Sequence, residues 1–249
     1  MSRNNALTRY MGQSRDPING LVLVAPLFIF YQIGILFTDG WKNGADFVTG
    51  ALLGLLGGNM IAYTVLNLGI LGALMVVYAR RRSQRTLEPR TWFGVVGEST
   101  VYAFFMGGMV STLLVNAGIA PTMTLVPAAS GAPEMGLFDT IVLSVGAGTY
   151  EELFFRLILM GAMYAGLLKT RRFAPWQAGL VSILLSSLIF SAFHYPPLGM
   201  DPWELWSFAF RFVMGVLFAV LFLTRGFAVA VYTHAIYDIF VLVPKVFGM

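Results

Sequence analysis

The chain has 249 residues, of which 57% are hydrophobic and only 11% charged, and its mean hydropathy is +0.75. Soluble domains carry about 25% charged residues, so a water-soluble fold is excluded and a bilayer takes the apolar surface. There is no cysteine, which removes disulfides, thiolate metal sites and a cysteine nucleophile.

A transmembrane helix needs roughly 20 mostly apolar residues. A basic tail over 1–17, with Arg3, Arg9 and Arg15, comes first, and 18–249 reads as one membrane-embedded helical domain. Ile18 to Phe37 is the first span; it is long for a signal peptide and no small-x-small cleavage pattern follows it. Ala45 to Gly58 is short and glycine-rich, which suits a half-helix or interfacial piece. Ile61 to Ala79 is a full span, followed by the basic run Arg80, Arg81, Arg82, Arg85 and Arg90. Trp92 to Gly118 follows, then a Pro/Ala/Ser/Gly loop over 120–136. The remaining spans are the very long Leu137 to Leu168, then Gln177 to Tyr195, Glu204 to Thr224 and Phe227 to Val243. The expected fold is an all-α polytopic transmembrane bundle of seven spans, or eight if the short piece crosses. No internal repeat is visible.

The pI of about 9.5 does not point to nucleic acid, because the basic residues stand between apolar runs. Three arginines precede the first span, whereas Lys42 faces Asp39 and Asp46 after it. Five arginines follow the second span, none stands in the 120–136 loop, and Lys169, Arg171 and Arg172 follow the fourth. With seven spans the alternation is unbroken, giving an integral protein of the cytoplasmic membrane with its N-terminus inside.

Ionisable side chains in hydrocarbon cost about 2.5–3.5 kcal/mol each and by default mark function or buried pairing. Three clusters stand in apolar runs: Glu151-Glu152-Leu153-Phe154-Phe155-Arg156, then Phe190-Ser191-Ala192-Phe193-His194, then His234-Ala235-Ile236-Tyr237-Asp238. The two histidines are the only ones in the chain. Glu152 and Arg156, at i and i+4, share a helix face and form an ion pair. Neighbouring residues diverge by about 100° on a helix, so Glu151 faces elsewhere. His234 and Asp238 are also i and i+4, so the carboxyl can hold the imidazole. The three clusters are expected to converge on one polar cavity. Glu98, seven residues into its span, is expected to snorkel, and Arg211 to neutralise a bundle carboxylate.

In order and internal spacing these clusters resemble the CAAX-protease and bacteriocin-processing family of intramembrane glutamic proteases, which shows EExxxR, FxxxH and HxxxN or HxxxD on successive helices. Glu151, Glu152 and Arg156 match the first motif, Phe190 and His194 the second, and His234 and Asp238 the third. The match runs from about Thr149 to Asp238; nothing in the first 135 residues is diagnostic. The resemblance implies an endopeptidase without metal or cofactor, acting on a membrane-anchored protein or peptide. It implies that Glu151, helped by His194, activates water, that His234 with Asp238 stabilises the oxyanion, and that Glu152, Arg156 and Phe190 support them. A carboxylate kept from water is a stronger base, which fits that role. Many relatives have Asn where this chain has Asp238. An ionised Asp cannot donate to an oxyanion, so Asp238 is either protonated or acts through His234, and the second reading is preferred.

Two alternatives use the same residues. Glu151, His194 and His234 are three ligands of a zinc protease with an open position, although HExxH is absent. A non-catalytic transporter or immunity-type membrane protein is the other, although a transporter would be expected to show repeated halves.

Overall fold

Helix starts are written plainly in the sequence. Asp16 caps the first long apolar helix by accepting hydrogen bonds from the Ile18 and Asn19 amides at 3.0 Å, with Pro17 in the first turn. Pro89 and Pro175 open two later helices in the same way. The computed structural model describes residues 3–38, 47–81, 87–121, 136–197, 199 and 201–248, and among them every regular element is helical.

The elements in chain order are α1 (Arg3–Arg15), α2 (Pro17–Gly34), α3 (Phe47–Leu55), α4 (Met60–Arg81) and α5 (Pro89–Asn116). Then α6 (Leu137–Glu151) runs without a break into a π-helical segment (Glu152–Met160) and on into α7 (Gly161–Lys169). The last three are α8 (Pro175–Ala192), α9 (Leu205–Arg225) and α10 (Phe227–Val246). Among the described residues six helices, α2, α4, α5, α8, α9 and α10, are long and apolar enough to cross a membrane. The expected long segment Leu137–Leu168 is the composite run α6–π–α7, none of whose pieces is of span length alone. The fold is a polytopic helical bundle. The short piece expected at 45–58 is the nine-residue α3, with 45–46 outside the described residues. The expected 120–136 loop also lies outside them, except at its ends. So do Asp39, Lys42, Asp46, Arg82 and Arg85.

Within the basic tail before residue 18, Arg3–Arg15 is a helix packed on the ends of α2, α5, α9 and α10. Its anchor is a cluster on Glu98. That carboxylate accepts from Arg225 Nη2 at 2.7 Å, from the Tyr102 hydroxyl at 2.8 Å, and from the Tyr10 hydroxyl of α1. Glu98 therefore has a buried ion-pair partner and does not snorkel.

The centre belongs to α10 and α6. Phe227 to Ala235 are buried without a gap, and so are Val142 to Glu151; a helix buried all round sits in the middle of its bundle. They cross closely because residue 148 is glycine: a Cβ there would meet the Ala235 backbone at 2.7–2.9 Å. The outer faces are apolar, with Ile61, Val65, Phe104 and Leu188 between 44% and 74% exposed. Such a surface is stable only against lipid.

Candidate active site

The π-helical segment begins at Glu152, one residue after Glu151. A π turn holds more residues than an α turn, and such turns recur at functional sites. Both glutamates are buried, at 3% and 0% exposure. Against expectation, they meet the same side chain. Glu152 Oε1 lies 2.9 Å from His234 Nδ1, and Glu151 Oε2 lies 3.7 Å from His234 Nε2. Asp238 Oδ2, one turn along α10, is 3.6 Å from the same Nε2. The ring also stacks on Phe218 with centroids 4.5 Å apart and planes 13° from parallel. Three carboxylates and an aromatic face thus fix one imidazole.

Behind this ring sits Arg156, fully buried, with Nε 3.2 Å from Glu152 Oε2. The approach is close but not aligned as a hydrogen bond, and Nη1 and Nη2 meet no acceptor among the described residues. The guanidinium instead lies over the Phe190 ring, 5.0 Å from its centroid. The pair is a charge contact in a sealed compartment, and its integrity depends on both charges being present.

His194 comes in from the turn beyond the end of α8. Its Nδ1 is 3.0 Å from the Phe190 carbonyl, so Nδ1 carries the donated proton and Nε2 carries the lone pair. Burial, reinforced by the nearby Arg211 charge, lowers this imidazole from its ordinary 6.5 to about 4, and it is neutral near pH 7. The turn is pinned by the Asp201 amide donating to the His194 carbonyl at 3.0 Å. Gly199 lies so close to the His194 backbone that a side chain there would collide with it. The Phe190 ring packs on both histidines, with centroids 5.2 Å from His194 and 6.0 Å from His234.

Glu151, Phe190, His194, His234 and Asp238 all line one cavity of about 550 Å³ between α6, α8, α9 and α10. Glu152 and Arg156 do not reach it; they lie in the wall behind His234. Met214, Phe218, Ser207 and Arg211 of α9 and Tyr237 of α10 complete the lining, and of these Met214, Phe218 and Ser207 carried no sequence signal. Arg211 pairs with Asp201 of the α8–α9 turn and donates to Ser207 Oγ at 2.7 Å and to the Tyr195 hydroxyl at 3.1 Å. It is the turn, not a bundle carboxylate, that neutralises it. Among the described residues, no group of three or more His, Asp or Glu side chains is arranged to hold a metal ion.

A second buried network stands on the far side of α6. Gln32 Nε2 donates to the Tyr150 hydroxyl at 2.6 Å, and that hydroxyl donates to Asn67 Oδ1 at 3.0 Å. The Tyr63 hydroxyl is 2.9 Å from that of Tyr150. These bonds tie α2 and α4 to the residue just before Glu151.

Residues 133–240 match the Rce1-like family model, described as type II CAAX prenyl endopeptidase Rce1-like. The stretch is similar to that family and makes up less than half of the chain. It ends on α10 and contains all seven motif residues, and α1 to α5 lie outside it. The likeness is to a family of proteases, which act on proteins or peptides. No curated protein and no solved structure matches the chain.

Proposed function

We propose that the chain is an intramembrane endopeptidase of glutamic type, with Glu151 and His194 acting on water and His234 acting on the oxyanion. The observation that carries this reading is the cavity shared by Glu151, His194, His234 and Asp238, in which His234 turns one nitrogen to Glu152 and the other to the open side.

Glu151, assisted by the His194 Nε2 lone pair, takes a proton from water as its oxygen adds to the peptide carbonyl carbon. The carbonyl oxygen becomes an oxyanion and accepts a hydrogen bond from His234 Nε2–H. Glu151 then returns the proton to the amide nitrogen, the C–N bond breaks, and an acid and an amine leave. The scheme requires a proton on each His234 nitrogen, the Nδ1 proton held by Glu152. The three carboxylates supply the countercharge. A donor already fixed before reaction costs no reorganisation as charge develops. Glu152 is a positioning residue, and Arg156 keeps it ionised and in place. Asp238 acts through His234 Nε2. In this reading 18–249 works as one membrane-embedded domain in the cytoplasmic membrane, N-terminus inside.

The test is Glu151→Gln, which keeps shape and removes the proton acceptor. Purified protein should lose at least the roughly 10²–10⁴-fold that a general base supplies, with its melting temperature kept. Full turnover in that variant sinks the assignment.

A further inference from the structure

The motifs do not say from which side of the membrane the cavity is reached, but the fold does. One end of the bundle gathers α1, the starts of α2, α5, α8 and α10, and the ends of α4, α7 and α9. The contacts that define this end are Gly20 against Phe227, Gly226 against Ser14, and Arg225 on Glu98. Ten of the described Lys and Arg residues stand at these helix ends, Arg9, Arg15, Arg90, Lys169, Arg172 and Arg225 among them. At the opposite end only Lys245 does so among the described residues, with Arg211 engaged by Asp201 inside the cavity. This asymmetry follows chain connectivity and is independent of any enzyme motif.

The cavity has its deep end at Ala147, Glu151 and His234 and its rim at Asp201, Glu204 and Lys245. That rim is made of the α8–α9 turn and the last turn of α10, both at the weakly basic end. From Lys245 down to His234 is eleven residues of helix, about 16 Å at 1.5 Å per residue.

We infer that the proposed catalytic cavity takes its substrate from the weakly basic face, which the positive-inside rule makes the extracytoplasmic one. The substrate is then a polypeptide segment presented at that surface, extended for about five residues beside the scissile bond, since a strand covers roughly 3.3 Å per residue. A folded domain does not fit a cavity of about 550 Å³, and a lipid-modified C-terminus on the cytoplasmic side does not reach it. This inference deepens the proposed function and rests on it for the identity of the cavity.

The absence of cysteine makes the test direct. Single substitutions Lys245→Cys at the rim, Leu242→Cys one turn deeper and Arg172→Cys at the basic end are expressed in a bacterial host. Spheroplasts are treated with a charged, membrane-impermeant maleimide before or after lysis, and total thiol is counted after denaturation. Cysteines at 245 and 242 should react in intact spheroplasts, and the one at 172 only after lysis. The reverse pattern overturns the inference, as does reaction of 245 and 172 from the same side, or a cysteine at 242 that stays unreactive while 245 reacts. Labelling needs no turnover, so its result stands apart from that of Glu151→Gln.

Discussion

Glu152→Gln removes one charge from a compartment in which both members of an ion pair are fully buried. The Arg156 guanidinium then keeps its charge with no carboxylate at 3.2 Å, and its Nη atoms already lack acceptors among the described residues. Breaking such a pair from one side costs about 3–5 kcal/mol, a large part of the 5–15 kcal/mol that holds typical domains folded. The same change replaces the carboxylate at His234 Nδ1 by a neutral amide, so turnover should drop with stability. The companion variant separates the two effects. In Glu152→Gln/Arg156→Met both charges are gone, and the thioether lies where the guanidinium met Phe190, a favourable sulfur–aromatic contact. Stability should recover toward the wild-type value, because no buried charge is left without its partner. Turnover should stay at least tenfold down, because the countercharge behind His234 is still missing. Thermal unfolding in detergent, followed by tryptophan fluorescence, reads stability; cleavage of a peptide that the wild type cuts reads turnover. The reasoning is refuted if Glu152→Gln melts with the wild type, or if the double variant regains full activity.

Asp238→Asn should lower turnover at least tenfold without lowering the melting temperature, because a charge 3.6 Å from His234 Nε2 is lost; wild-type or higher activity would show Asp238 to be a neutral donor instead. Gly148→Ala should cost about 1–3 kcal/mol of stability and reduce turnover, because its Cβ meets the Ala235 backbone. Gly161→Ala in the same composite helix meets nothing within 4 Å and should be neutral or stabilising, so equal effects at both positions would discard the close-crossing argument.

The apolar periodicity and the i,i+4 spacings made much of this legible. The long spans and the Glu152–Arg156 contact follow from rules that act within a few residues, and the gathering of Glu151, His194 and His234 from the cost of leaving ionisable groups in hydrocarbon. What was not legible depends on partners distant in sequence. Glu98 reads as an isolated acid until Arg225, 127 positions later, closes on it. Gln32 and Tyr150 carry no signal of each other across 118 positions. Arg211 reads as a partner for a bundle carboxylate because nothing local reveals that the α8–α9 turn folds back to bring Asp201 to it. Arg3–Arg15 has no apolar stripe, and its helix is held by the helix ends it packs against rather than by a pattern of its own.

The widest gap between sequence and structure is also the one that bears most on chemistry. In an unbroken α-helix, adjacent side chains point about 100° apart, so an ion-paired Glu152 sends Glu151 away from it. Here both carboxylates nevertheless come to opposite nitrogens of one imidazole, at the point where the helix passes from α to π. No residue in ELFFRLILM announces a π turn; α8, α9 and α10 pack around it. On the proposed mechanism this gives the two glutamates separate tasks around a single ring. Glu152 fixes the proton on Nδ1 from within the wall, and Glu151 stands at the cavity beside the nitrogen that meets the oxyanion. Base and donor are then held on one rigid element pair, α6–π and α10, whose spacing is set by Gly148.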